Sequence, residues 1–205
     1  MLKTTSKMCL KNQGLFFLVF LLVLGIWLFK LNQSLFYTIN SLHIYLPDKI
    51  WQGLNFIAAA KHFILPILLL GLTILFRRDK LFRVVILILA YYIVFAGLKL
   101  LISEARPFVV LPHNSFYFLG HEDSLKDAYR SFPSGHMGNI TVFVFALLTL
   151  FLPNSTFAKI FLSLFLILIG LARICSGWHW PIDILASGLI AYILVKICLC
   201  LPKTP

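Results

Sequence analysis

The sequence predicts an all-α membrane protein: six transmembrane helices packed as one bundle, in a single domain of residues 1–205. Hydrophobic residues make up 60% of the chain and the mean hydropathy is +0.95, which is more apolar surface than a soluble domain of this length can bury. The apolar residues also fall in long runs separated by short polar segments. The net charge of +11 does not indicate nucleic-acid binding, because the basic residues are split among the apolar runs.

The six apolar runs define the predicted spans in order. Lysines precede the first run, but no small-x-small cleavage site follows it, so an uncleaved span is predicted rather than a signal peptide. Residues 34–51 are mixed in character, are interrupted by Pro47, and are predicted to lie in the membrane interface. Lys61 and His62, near the start of the second run, can extend to the headgroups. The predicted spans cover residues 15–29, 56–76, 81–102, 137–152, 159–174 and 181–201.

Charged residues divide unequally between the two sides that these spans define. If the N-terminus is inside, the inner segments hold a single acid, Asp79, and the other six acids all lie outside. The positive-inside rule therefore predicts that both termini are cytoplasmic and that the segments before the fourth and sixth spans face outward. The basic residues of the inner segments are Lys3, Lys7, Lys11, Arg77, Arg78, Lys80, Arg83, Lys159 and Lys203.

A polar hexapeptide, residues 131–136, stands directly before the fourth span. Pro133 suits the first turn of a helix, because its missing N–H would be unpaired there. The N–H groups of Ser134 and Gly135 then lack intrahelical partners and face outward at the positive end of the helix dipole. This pattern predicts a phosphate or other anion site with His136 beside it as an acid or base.

Two cations stand at the outer end of the third span. Lys99 and Arg106 are seven residues apart, which places both on one helix face if the helix continues to Pro107. Two bases that extend to the membrane boundary are the simpler interpretation. Beside an anion-binding helix start, the pair is instead predicted to clamp phosphate oxygens.

The connection between the fifth and sixth spans carries Arg173, His179 and Asp183. Because His179 and Asp183 are four residues apart, the carboxylate can reach the imidazole if a helix begins near His179. Such a contact fixes the imidazole tautomer and leaves the other ring nitrogen free as a base or nucleophile. A purely structural His–Asp pair is the equally weighted alternative.

All three polar sets lie at the outer ends of the spans, so one pocket is predicted to gather them. Cations, a helix N-terminus, two histidines and a carboxylate suit phosphoryl transfer through a nucleophile. The set contains no metal-ligand cluster, and neither a metal nor another cofactor is predicted. The members are Lys99, Arg106, Ser134, His136, Arg173, His179 and Asp183.

These residues resemble the type 2 phosphatidic-acid phosphatases, also called lipid phosphate phosphatases. The family pattern K-x6-R-P matches Lys99 to Pro107, and P-S-G-H matches residues 133–136. The third pattern, S-R-x5-H-x3-D, matches from Arg173 to Asp183, except that Ala172 stands where the family has serine. The resemblance covers most of the chain, about residues 56–201, and all three motifs occur in order.

The resemblance implies a metal-independent mechanism through a phosphohistidine. His179 would attack phosphorus while Asp183 orients its ring, and His136 would protonate the leaving oxygen and then activate water. Ala172 implies one hydroxyl fewer in the pocket, worth about 1 kcal/mol. Phosphate oxygens would be held by Lys99, Arg106, Arg173, Ser134 and the Gly135 N–H.

A lipid phosphate within the membrane is the implied substrate. The family suggests undecaprenyl pyrophosphate, phosphatidylglycerol phosphate, phosphatidic acid or a lipid A phosphate, and an outward-facing pocket favours the first or the last. By analogy the short chain indicates a bacterial inner-membrane enzyme. Arg130 is a possible headgroup contact. A phosphotransferase with the same site and a non-catalytic lipid-binding or transport protein are the alternatives, and the sequence leaves the oligomeric state open.

Overall fold

The computed structural model describes residues 13–120 and 126–200, and the regular structure in those ranges is entirely helical. Predictions that concern the N-terminal lysines, residues 121–125 or the chain beyond residue 200 lie outside the described residues. Several of the helices are joined by short 3-10 turns. The α-helices are α1 (Gln13–Leu28), α2 (Asn32–Asn40), α3 (Asp48–Ala58), α4 (Ile64–Phe76), α5 (Leu81–Ile102), α6 (Pro107–Val110), α7 (Gly135–Leu150), α8 (Thr156–Cys175) and α9 (Pro181–Val195).

Three stretches of the described chain are long and apolar enough to cross a membrane: Arg78–Val110, Thr156–Cys175 and Pro181–Cys200. A fourth is gained if the apolar part of α1 and the stretch Asn32–Tyr45, which meet at a bend of 106°, form one broken span. The helices α4 and α7 are apolar but shorter, with 13 and 16 residues. At 1.5 Å per residue they reach about 20 and 24 Å, against a hydrocarbon core of about 30 Å. The all-α prediction is confirmed for the described chain, whereas the six-span count is not.

The helix α7 lies at the centre of the bundle, because its apolar side chains are buried on more than one face. Val142 packs in a cluster with side chains of α4, α5 and α9, whereas Ile140 packs with α3, α4 and α8. Close approach to α5 needs the glycine at position 138, where a Cβ would stand 2.3 Å from the ring of Phe95. The start of α7 is therefore fixed by its neighbours on both sides.

The predicted span of residues 56–76 is broken. The helix α3 ends at Ala58, a 3-10 turn covers Ala60–His62, and Phe63 has φ of 55° before α4 begins. Pro66 accounts for the restart, since proline is tolerated in the first turn of a helix and not in its interior. The turn is held against the core by Tyr92, whose hydroxyl donates to the Ala60 carbonyl at 2.9 Å.

Candidate active site

Arg106 joins the three polar segments that the sequence singled out. Its Nη1 donates to the Trp178 carbonyl at 2.8 Å and lies 3.2 Å from Nε2 of His179. Its Nε donates to the main-chain carbonyl of Asp127 at 2.8 Å. The side chain is 5% exposed. A buried guanidinium therefore connects the segment after α5, the loop before α7 and the connection between α8 and α9.

Lys99 and Arg106 meet, although they do not share a helix face as the sequence predicted. The helix α5 ends at Ile102, and Ser103 takes the left-handed conformation with φ of 47°. Arg106 is extended and Pro107 starts the short helix α6 rather than ending α5. The two cations converge on the Arg130 carbonyl, which accepts from Lys99 Nζ at 2.7 Å and from Arg106 Nη2 at 3.2 Å.

His179 and Asp183 make the contact that their spacing predicted. The helix α9 begins at Pro181, so Asp183 stands in its first turn, with Oδ2 3.3 Å from Nδ1 of His179. The same oxygen accepts from the Trp180 N–H at 3.0 Å and from the Ser131 hydroxyl at 2.5 Å. Asp183 Oδ1 is buried and has no partner among the described residues. Both side chains are 1% exposed, so this is a buried pair with a fixed geometry.

The tautomer of His179 follows from its neighbours. Arginine can only donate, so the contact with Arg106 Nη1 requires a lone pair on His179 Nε2. The proton then lies on Nδ1 and is donated to Asp183. Burial lowers the pKa of His179 well below its usual value, and the charges of Arg106 and Arg173 lower it further. His179 is therefore neutral, with Nε2 as a buried nucleophilic nitrogen.

The start of α7 differs in one respect from the prediction. Ser134 is the N-cap, as expected, and its hydroxyl accepts from the Met137 N–H at 3.4 Å. Its own N–H is not free, however, because it donates to the Ser187 hydroxyl at 2.7 Å, and that hydroxyl donates to the Asp183 carbonyl. The N–H groups of Gly135 and His136, at the first two positions of α7, have no partner among the described residues.

Arg173 lies in the last turn of α8 and is 4% exposed. Its Nη1 donates to Asn55 Oδ1 at 3.0 Å, and its guanidinium carbon lies 5.4 Å from the ring centroid of Trp178. The guanidinium of Arg106 lies 5.1 Å from the same ring, so both cations lie against one indole. Arg173 Nε is buried and has no partner within the described part of the chain.

His136 and Arg130 occupy different positions relative to this pocket. His136 is half-buried at the start of α7, and a positive charge on it would lower the pKa of His179 further. The Arg130 side chain is exposed and pairs with the Asp127 carboxylate at 3.7 Å, so only its carbonyl contacts the cations. The described residues include no group of three or more side chains able to hold a metal ion. A metal-free site remains a prediction.

Four further residues contact the pocket and were not among the predicted site residues. Ser131 and Ser187 contact Asp183, Asn55 contacts Arg173, and the Trp178 ring lies near both arginines. Ser187 offered a signal, since it stands four residues after Asp183 inside an apolar run. The contact between Asn55 and Arg173 joins residues 118 positions apart, and local spacing cannot indicate it.

Comparison with known proteins places this fold and site in a family. A model of the PAP2 superfamily matches residues 80–204, which include all three motifs. The chain belongs to the PAP2 superfamily, which confirms the resemblance found in the sequence. With its apolar helices and its membrane relatives, it is an integral membrane protein.

Two solved structures share the fold. The crystal structure of LpxE from Aquifex aeolicus is 25% identical and superimposes with a TM-score of 0.65, covering 82% of this chain and 94% of that one. A PAP2-type phosphatidylglycerolphosphate phosphatase from Bacillus subtilis is 22% identical, with a TM-score of 0.63 over 92% of this chain and 94% of that one. At 22% identity the second shows the fold alone. A search of curated protein sequences gives no match.

Proposed function

We propose that this protein is a lipid phosphatase that uses His179 as its nucleophile and acts as one membrane-embedded domain. Membership of the PAP2 superfamily and the fold shared with a phosphatase support the class of reaction. The observation that carries the catalytic assignment is the neutral, buried His179 held between Arg106 and Asp183. No other histidine of the described chain has a carboxylate on one ring nitrogen and a guanidinium on the other.

In the first step, the His179 Nε2 lone pair attacks phosphorus and the bond from phosphorus to the lipid oxygen breaks. Burial and the neighbouring cations lower the pKa of His136 well below its usual value, so His136 takes up a proton only when the negatively charged phosphate is bound beside it. It then donates that proton to the leaving oxygen. Before the attack, the hydrogen bond from Arg106 Nη1 moves from His179 Nε2 to a phosphate oxygen. This change frees the lone pair on His179 Nε2. Asp183 stabilises the positive charge that develops on the imidazole and keeps its orientation.

In the second step, water attacks the phosphohistidine and the bond from nitrogen to phosphorus breaks. The neutral His136 takes a proton from that water, and His179 returns to its starting tautomer. Phosphate oxygens are held by Lys99, Arg106, Arg173, the Ser134 hydroxyl and the Gly135 N–H. These groups place positive charge and N–H donors where charge collects in the transition state.

The substrate that we propose is a phosphomonoester or diphosphate of a membrane lipid, cleaved on the extracytoplasmic face of a bacterial inner membrane with both chain termini in the cytoplasm. Charge distribution along the sequence supports this orientation. The candidates are undecaprenyl pyrophosphate, a lipid A phosphate, phosphatidylglycerol phosphate and phosphatidic acid. The name of the Bacillus subtilis neighbour supports including phosphatidylglycerol phosphate in the panel.

Phosphate release from this panel by the protein purified in detergent tests the proposal. The reaction contains EDTA, and His179→Ala is compared with His113→Ala, which changes an exposed histidine in a 3-10 turn. We expect the wild type and His113→Ala to release phosphate at similar rates. His179→Ala should be slower by about a thousandfold or more.

Each other outcome of this experiment contradicts a named part of the proposal. Full activity of His179→Ala contradicts the nucleophile. Transfer of labelled phosphoryl groups to an added lipid alcohol, without free phosphate, indicates a phosphotransferase. Binding of a lipid phosphate with no turnover of any panel member indicates a binding or transport protein.

A further inference from the structure

Arg173 is a buried cation without a compensating carboxylate. Among the described residues it forms no ion pair, and its one hydrogen-bonded side-chain partner is Asn55, a neutral amide. An unpaired charge in the protein interior is unfavourable, and a bound anion would offset that cost. The unpartnered Nε of the same side chain indicates where such a ligand would bind.

Asn55 is itself held in one orientation. Its Oδ1 accepts from Arg173 Nη1 at 3.0 Å, and its Nδ2 donates to the Ser176 hydroxyl at 2.9 Å. Ser176 is fully buried and donates to the Ala172 carbonyl at 2.5 Å. Arginine only donates, and the Ser176 proton is already donated to Ala172. The amide of Asn55 therefore cannot flip without losing both contacts. This series of hydrogen bonds starts at Arg173 and ends at Ala172, the residue next to it on α8.

The helix that carries Asn55 packs against α8 through buried apolar side chains. Trp51 of α3 is 3% exposed and lies in an apolar cluster with Ala172 and Cys175 of α8. The neighbouring Leu54 packs against the same cluster. A side chain supported in this way can hold a functional group to within about 0.5 Å.

We propose that Asn55 is a positioning residue for the phosphate-binding arginine. It fixes one edge of the Arg173 guanidinium without neutralising its charge, while Trp178 covers a face, so that Nε remains available for a phosphoryl oxygen. An aspartate in its place would accept the same hydrogen bond but would pair with the charge. The inference rests on the proposed function for its effect on turnover, whereas its effect on anion binding stands independently.

The test combines anion binding and turnover in matched variants. Asn55→Leu removes both hydrogen bonds at similar size, Asn55→Asp keeps the acceptor and adds a negative charge, and Gln52→Leu changes an exposed amide one turn away on α3. Binding of orthovanadate, a phosphate analogue, is measured by calorimetry in detergent. Phosphate release gives kcat and KM, and Tm reports folding.

We expect Asn55→Leu and Asn55→Asp to weaken orthovanadate binding and to lower kcat/KM, each by about tenfold or more, while Gln52→Leu matches the wild type. Asn55→Asp should keep the wild-type Tm. If Asn55 only linked α3 to α8, Asn55→Asp would bind orthovanadate and turn over like the wild type. That result overturns the inference. So does a wild type that does not bind orthovanadate.

The two proposals fail in distinguishable ways. Weaker orthovanadate binding by both Asn55 variants, with no phosphate released even by the wild type, supports the role of Asn55 in anion binding and contradicts the phosphatase. Turnover by the wild type with unchanged Asn55 variants supports the phosphatase and contradicts the role of Asn55.

Discussion

Replacing Asp183 with asparagine changes the hydrogen bonds of His179 while preserving the size of the side chain. Asp183 Oδ2 accepts from the Ser131 hydroxyl at 2.5 Å, from the Trp180 N–H at 3.0 Å and from His179 Nδ1 at 3.3 Å. Asparagine has a single acceptor oxygen, and we expect it to accept from the two closer donors, the Ser131 hydroxyl and the Trp180 N–H. The amide NH2 group then faces His179 Nδ1.

A donor opposite Nδ1 reverses the tautomer of His179. Nδ1 becomes the acceptor and the ring proton moves to Nε2, which faces the Arg106 Nη1 donor at 3.2 Å. Two donors then oppose each other, and no lone pair points at the phosphate. We expect kcat to fall by about 10³- to 10⁴-fold, which corresponds to about 4 to 5.5 kcal/mol of transition-state stabilisation.

The assay is phosphate release from the best panel substrate, with Asp79→Asn as the control for loss of a carboxylate. Asp79 lies in an exposed 3-10 turn and pairs only with Arg77 and Lys80 among the described residues, so its variant should keep the wild-type kcat. KM should change little in Asp183→Asn, because Asp183 acts through His179. A kcat within tenfold of the wild type, in a variant with normal Tm, would refute the tautomer argument.

Three further predictions concern the support of the same site. Ser131→Ala removes one of the three donors to Asp183 and should lower kcat about tenfold, as measured by phosphate release, since a hydrogen bond to a charged group is worth about 1.5 to 3 kcal/mol. The lowered pKa of His179 means that the unfolded chain binds a proton there that the folded protein does not. The contribution of His179 to stability should therefore fall as pH drops below about 6.5, by up to about 1.4 kcal/mol per pH unit, and the Tm of His179→Gln between pH 5 and 7.5 should lack this part of the slope. Gly138→Ala should lower the free energy of unfolding by about 1 to 3 kcal/mol, because its Cβ would stand 2.3 Å from the Phe95 ring. The control Gly97→Ala, with nothing within 4 Å of the added Cβ, should keep or slightly raise Tm, because alanine favours a helix over glycine.

The parts of the site that the sequence predicted are those set by local spacing. A spacing of four positions from His179 to Asp183 places the imidazole beside a carboxylate in the first turn of α9, and the structure has this contact. Ser134 before an apolar run is an N-cap signal, and its hydroxyl does cap α7. Both inferences require only the geometry of one helix turn.

The parts that the sequence did not predict depend on chain breaks and on distant partners. The helix α5 stops at Ser103, and serine is neither a strong stop signal nor a usual left-handed residue, so the argument from one helix face for Arg106 was wrong. The Ser134 N–H was expected to be free, but Ser187, 53 positions away, accepts from it. Contacts of this kind arise from the packing of whole helices and have no local pattern.

The cations of the described pocket are held by neutral acceptors, and for this reason the pocket keeps the positive charge that an anion requires. Lys99 donates to a main-chain carbonyl, Arg106 to three such carbonyls, and Arg173 to an amide oxygen. Carbonyl and amide oxygens accept hydrogen bonds from a guanidinium and so orient it, but they carry no charge that would neutralise it. The buried carboxylate of Asp183 is committed to His179, Trp180 and Ser131 instead. A doubly negative phosphoryl group is the ligand that such a set of oriented and unneutralised cations would stabilise, with His179 Nε2 beside it.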